Sequence, residues 1–226
     1  MQAVSAPSMI FLALTLTFAS IDFVMTLEPK WYSTIFGVYF FAGSVVSFHA
    51  FFALILMGLQ KQGRLSKSVT TEHYHDIGKM MFAFTAFWAY IAFSQFMLIW
   101  YANIPEETEW YHVRAHGDWL YVSYGLVLFN FVIPFFGMLS RHVKRNRKSL
   151  AFWAVWILVV HWVDMFWLVK PHLRSEHGLP FSIHDLLCVV GMLGLFIAGA
   201  AWNAQKVNLV PVKDSRLNKS LAFENF

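Results

Sequence analysis

Charge is scarce in this sequence: only 13% of its 226 residues are Asp, Glu, Lys or Arg, against about 25% in an ordinary soluble domain. Cysteine is scarcer still. Cys188 stands alone inside an apolar run, which excludes an intrachain disulfide and the two-cysteine zinc and haem-attachment motifs. Met1–Met9 hold neither Lys nor Arg, and the apolar stretch after them contains Asp22, so the basic start of an export signal is missing. What is plentiful is apolar: 58% of residues are hydrophobic and 19% aromatic, with a mean hydropathy of +0.52. A pI near 9.2 raises the question of nucleic acid. The basic residues, however, lie in short loops between long apolar stretches, which is a membrane-topology pattern and argues against a nucleic-acid partner.

A helix crosses the roughly 30 Å hydrocarbon layer with about 20 apolar residues. Stretches near 9–27, 33–59, 79–103, 116–140, 150–169 and 183–204 meet that length. They predict an all-α polytopic bundle of about six transmembrane helices. The bundle occupies residues 1–205, and 206–226 form a tail. Pro134 is expected to bend the fourth helix without ending it. Lys61, Arg64 and Lys67 follow the second helix, and Arg141, Lys144, Arg145, Arg147 and Lys148 follow the fourth. The tail adds Lys206, Lys213, Arg216 and Lys219, whereas the opposite side holds Glu106, Glu107 and Glu109. Positive charge stays on the cytoplasmic side, which assigns both basic loops and both termini to the cytoplasm. Trp31, Tyr32, Trp100, Tyr101, Trp110, Tyr111 and Trp167 then read as an interfacial belt on the other side. The acidic loop 104–117 reads as a solvated surface or as a docking surface for a basic partner.

A polar group in hydrocarbon costs a few kcal/mol unless it is paired, so each one needs a reason. His161 and Asp164 are three apart and share one helix face. A carboxylate beside an imidazole favours the charged form of each, and such a pair can hold or relay a proton or simply fix helix packing. Asp22, His49, Tyr90 and Gln95 are candidates to extend that relay, each with interhelical hydrogen bonding as the alternative. His49 and His161 are the one combination to consider for bis-histidine haem, since the other histidines fall in loops or at helix ends, and the lack of a helix with two deep histidines argues against intrinsic haem. His73, His75 and Asp76 precede the third helix and read as a helix cap or as a cytoplasmic intake for protons. Gly191, Gly194 and Gly199 in the sixth helix suit close backbone packing.

Four separated runs carry a resemblance. They are Asp22–Tyr39 (DFVMTLEPKWYSTIFGVY), His73–Tyr101 with its continuation ANIPEET, Val132–Arg145 (VIPFFGMLSRHVKR) and LAFWAVWILVVHWVDMFWLV, which contains His161 and Asp164. In this order they resemble the F subunit of alternative complex III, a bacterial quinol:cytochrome c oxidoreductase whose membrane subunits are related to NrfD and polysulfide reductase. The resemblance implies a non-redox subunit of the bacterial inner membrane that anchors its neighbours and conducts protons. It implies no cofactor in this chain, with haem c, iron–sulfur clusters and the quinol site in partner subunits. A purely structural scaffold and a quinol-binding subunit are the alternatives. The family's subunit has more helices, so the resemblance places this chain at its C-terminal part.

Overall fold

The computed structural model describes residues 2–65, 68–172, 181–206, 208–210 and 215–224. Lys67, Lys213 and His177 lie outside the described residues. Helices dominate, and there is no strand among the described residues. The long ones are α1 (Gln2–Phe23), α2 (Phe36–Lys61) and α3 (Thr71–Ala102). Two short helices follow, α4 (Pro105–Arg114) and α5 (Asp118–Leu126), then a π-helical stretch (Val127–Val132), α6 (Ile133–Gly137) and α7 (Arg141–Arg145). The chain continues through α8 (Arg147–Val169), α9 (Ile183–Lys206) and α10 (Leu217–Leu221). Six segments are long and apolar enough to span a membrane: Val4–Leu27, Phe36–Lys61, Thr71–Ala102, Asp118–Gly137, Arg147–Val169 and Ile183–Lys206. The protein is a multi-pass helical bundle of membrane type.

Buried positions follow a three-then-four spacing, so each core helix turns one stripe inward. On α2 the stripe runs through Tyr39, Ala42, Gly43, Val46, Ala50 and Ala53. Its residues are mostly small, and α2 accordingly packs closely on both α3 and α8. On α3 it runs through Gly78, Met81, Thr85, Trp88, Gln95 and Ile99. On α8, Leu150, Ala154, Ile157, Asp164 and Leu168 are buried at the same spacing. One cluster forms around Phe36, Tyr39, Trp88, Trp110 and Trp167, and a second around Val46, Ala50, Tyr74, Met81 and Leu150.

The fourth span bends as Pro134 requires. Proline has no N–H and crowds the carbonyl four residues earlier, and the helix widens to π geometry over Val127–Val132 before resuming. A carbonyl in the widened turn finds an outside donor, because Trp156 Nε1 donates to Phe129 O at 2.8 Å. Gly137 lets α8 approach there; a Cβ on it would sit 1.9 Å from Trp153 Cζ2.

The basic end is fastened by hydrogen bonds. Arg145 grips the Glu72 carboxylate with both terminal nitrogens, one of them at 2.8 Å. Lys144 donates to the carbonyls of Met138 (2.8 Å) and Leu139 (3.0 Å), capping the end of α6. Burial pushes the Lys144 ammonium below its usual pKa. The tail returns to this end, with Ser220 Oγ 3.3 Å from His73 Nε2 and Phe223 beside the same ring. The loop after α2, the α7 segment and the tail therefore share one end of the bundle.

Several expectations are corrected. The third span begins at Thr71 and not near 79, so His73, His75 and Asp76 lie inside α3. The helix is capped by Thr70, whose N–H donates to His73 Nδ1 at 3.1 Å. Residues 105–114 are helical, since Pro105 suits the first turn and Glu106 and Glu107 favour its positive end. The aromatic belt divides: Tyr32, Trp100 and Tyr101 are exposed, whereas Trp31, Trp110 and Trp167 are core residues. Around Gly191, Gly194 and Gly199 there is open space within this chain, because α9 buries none of its residues.

Candidate proton site

Asp164 is the centre of the candidate site. It sits one turn before the end of α8 with 0% of its surface exposed. A carboxyl group there needs donors, and two neighbouring helices supply them. The Tyr39 hydroxyl, from the stripe of α2, donates to Oδ1. The Trp88 indole N–H, from the stripe of α3, donates to Oδ2 at 3.2 Å. His161, one turn earlier on α8, holds Nδ1 3.9 Å from Oδ2. That is within ion-pair range but beyond a hydrogen bond. Nδ1 is buried and has no hydrogen-bond partner among the described residues. Gly43 makes room for the ring: a Cβ there would lie 2.9 Å from His161 Cε1.

The other sequence candidates divide. Gln95 is buried on the α3 stripe, two turns beyond Trp88, and its Nε2 donates to Tyr111 Oη at 3.3 Å. His49 bonds its own helix through Nδ1 and the Val45 carbonyl at 2.8 Å, and its ring stacks on Phe84. It lies six residues along α2 from Gly43, so about 9 Å deeper than the His161 contact. The two imidazoles are therefore offset in depth. Asp22 is exposed in the last turn of α1, and Tyr90 is exposed on the outer face of α3. Neither contributes to the Asp164 cluster. At the basic end, His75 is buried, His73 contacts the tail, and Asp76 pairs with Lys79 at 2.6 Å.

Tyr39, Trp88 and Arg114 were not among the sequence candidates, yet they shape the site. Arg114 is 1% exposed at the end of α4. Its guanidinium lies 3.5 Å from the Trp110 ring centre. Nη1 donates to the Trp110 carbonyl at 2.9 Å, Nη2 to that of Leu168 at 2.9 Å, and Nε to that of Trp167 at 3.3 Å. It thus caps the end of α8 immediately after Asp164. Burial lowers its pKa to about 9, leaving it a cation at neutral pH. Burial also pushes the Tyr111 phenol above its usual range.

Beside this cluster, a cavity of about 730 Å³ opens between α3, α4 and α5. Trp110, Tyr111, Phe96 and Phe131 give it an aromatic wall, and Gln95 and Arg114 also border it. Tyr39 and Trp88, the two donors to Asp164, belong to the same wall.

Fold and site together define a polytopic helical membrane protein with one buried, doubly hydrogen-bonded carboxyl group beside an apolar cavity. No protein-family model matches the chain, and no curated protein matches it either.

Proposed function

We propose that this chain is a non-redox integral membrane subunit of a respiratory quinol:cytochrome c oxidoreductase of the alternative complex III type, which anchors its neighbours and passes protons through Asp164. The four motif runs support the family. The observation that carries the proton reading is the buried carboxyl group of Asp164, held by Tyr39 and Trp88 with an open imidazole nitrogen 3.9 Å away.

Such a group can serve in both protonation states. As a carboxylate, Asp164 accepts the Tyr39 O–H and the Trp88 N–H. Once protonated, it has a donor of its own to offer. Closing the gap to His161 Nδ1 from 3.9 Å to about 2.8 Å would create the hydrogen bond along which that proton leaves. His161 would then carry the proton towards the deeper part of the bundle, where His49 lies. At the basic end, His73, His75 and Asp76 are the proposed intake. Basic residues gather at that end, which supports a cytoplasmic location for it and for both termini, in the bacterial inner membrane. Haem c, iron–sulfur clusters and quinol chemistry belong to partner subunits in this reading.

The test is Asp164→Asn in the assembled complex. Proton translocation is expected to fall at least tenfold (roughly 1.4 kcal/mol or more on the rate-limiting barrier), with assembly and quinol oxidation retained. Unchanged translocation would remove Asp164 from the pathway. A loss of assembly without a specific loss of proton flux would favour the purely structural scaffold.

One observation favours a second reading, in which this chain binds quinol. The cavity is aromatic and of ligand size, and Tyr39, Gln95 and Tyr111 line it. Density for a quinone ring in this cavity in the intact complex would establish it.

A further inference from the structure

The face of α8 opposite its buried stripe borders a second recess, a groove of about 420 Å³ shared with the fourth span. Phe152, Val155, Val159 and Val163 form its α8 wall, with Gly125 and Phe129 facing them. These α8 positions are three or four apart, so the groove follows the helix axis. The two spans are fastened to each other near both ends of it. Trp156 Nε1 donates to the Phe129 carbonyl and Trp167 Nε1 to Ser123 Oγ, each at 2.8 Å. Between those contacts the short valines and Gly125 leave a slot. A Cβ on Gly125 would meet only Phe129, at 3.8 Å.

The dimensions of the slot select its occupant. From Phe152 to Val163 the helix rises about 16 Å. That is the depth of one leaflet, half of a hydrocarbon layer roughly 30 Å thick. Spread over this length, 420 Å³ amounts to a cross-section of about 25 Å². A hydrocarbon chain fits such a slot from end to end. A transmembrane helix, about 10 Å across, covers its rim and leaves the slot itself unfilled. Phe152, Val155 and Val159 are exposed, so the slot opens towards the lipid.

Charge at the basic end gives the occupant a sign. Lys148 lies one turn before Phe152 on the same face of α8 and is exposed. It forms no ion pair among the described residues. The acids of α3 at this end are already engaged, Glu72 by Arg145 and Asp76 by Lys79. Arg147 turns the other way, over the Tyr74 ring at 5.2 Å. Lys148 is therefore left to meet an anion at the head of the slot.

We infer that this groove holds one acyl chain of an anionic phospholipid from the leaflet at the basic end, with its phosphate on Lys148. The chain supplies the contacts that the valines of α8 leave unmade against the fourth span. One lysine near the membrane surface favours an anionic over a zwitterionic headgroup about fivefold. Lys148 and the groove lie on the face of α8 opposite Asp164, so the lipid site stands or falls independently of the proton pathway.

The test is native mass spectrometry of the full chain, released from micelles holding equal amounts of phosphatidylglycerol and phosphatidylcholine with the same acyl chains. Wild type is expected to retain one phospholipid per chain, with phosphatidylglycerol favoured about fivefold. Lys148→Gln should retain a lipid and lose the preference. Lys219→Gln, which removes a tail lysine from the same end, is the control and should keep it. Gly125→Phe puts a ring into the slot and should lose the lipid. Val159→Trp fills the slot from α8 and serves if Gly125→Phe does not fold.

Wild type without a retained lipid, or retention unchanged in both filled variants, would remove the site. A preference that survives Lys148→Gln, or falls equally in Lys219→Gln, would overturn the headgroup contact. Should wild type retain no lipid while Gly125→Phe blocks assembly of the complex, the groove receives a neighbouring subunit and the lipid site falls.

Discussion

Two consecutive spans, α8 and α9, have almost the same mean hydropathy, 1.8 and 2.0, yet they sit in the fold in opposite ways. α8 turns a stripe of side chains into the bundle and carries the one fully buried carboxyl group among the described residues. α9 buries none of its residues. It is joined to α8 by an ion pair at its start, Lys170 to Asp185 at 2.7 Å, and touches α2 through Phe196 on Phe51. Hydropathy measures how well a helix suits lipid. Burial depends instead on whether small and large residues alternate at the right spacing to admit a neighbour. A polar group on a stripe such as that of α8 meets other side chains, and this is what makes Asp164 available for chemistry.

The comparison predicts that equal substitutions have unequal effects. The largest is expected where α8 meets α6. Gly137→Ala places a methyl group inside the Trp153 ring and should destabilise the bundle by about 3 kcal/mol, read by denaturant unfolding in mixed micelles. A loss below about 0.5 kcal/mol would show that α8 is not seated there as described. Next is Asp164→Ala, which leaves the Tyr39 hydroxyl and the Trp88 N–H without their acceptor, at a cost of about 2 kcal/mol in the same assay. Asp164→Asn retains an acceptor and should lose less than half of that. If the alanine variant were as stable as the asparagine variant, the two hydrogen bonds would carry no weight in holding α2, α3 and α8 together.

A smaller effect is expected at Gly43. Alanine there meets the His161 ring at 2.9 Å and must push it by a few tenths of an ångström. We expect a stability loss of about 1 kcal/mol. Because the displaced group is the proposed proton acceptor, the same variant should slow proton translocation in the complex several-fold. Gly58→Ala, on the same helix with open space around it, is the control and should do neither. Equal behaviour of the two variants would separate His161 from the pathway.

The stripes were legible in the sequence, and most of the site lies on them. Leu150, Ala154, Ile157, His161, Asp164 and Leu168 follow one three-then-four register, so the pairing of His161 with Asp164 was readable from spacing alone. The same rule places Trp88 and Gln95 on the inner face of α3 and Tyr90 on the outer one. Treating every polar residue in a span as buried misjudges Tyr90 and Asp22, because a residue off the stripe faces outward whatever its polarity. Tyr39 went unnoticed for the opposite reason. A tyrosine near a helix end reads as an interfacial anchor, and only its register with Gly43 and Val46 turns it inward. Arg114 was the least legible. Its i, i+4 partner Trp110 lies in an acidic segment without an apolar stripe, and its contacts with the end of α8 cross more than fifty residues of chain. No local pattern carries that information.

The smallest expected effect is in α9, and it sharpens the comparison most directly. Gly194→Leu adds a large side chain into open space, so the unfolding free energy of the isolated chain should change by less than about 0.5 kcal/mol. The same substitution on a stripe would be severe, as the 1.9 Å approach at Gly137 indicates. Repeating the measurement on the assembled complex then asks whether α9 is as unpartnered there. A helix that faces only lipid tolerates leucine in both settings. A helix whose small residues receive a neighbouring subunit tolerates it alone and loses the complex. Retained stability of the chain with loss of the complex would assign α9 to assembly, leaving α2, α3 and α8 to hold the proton site.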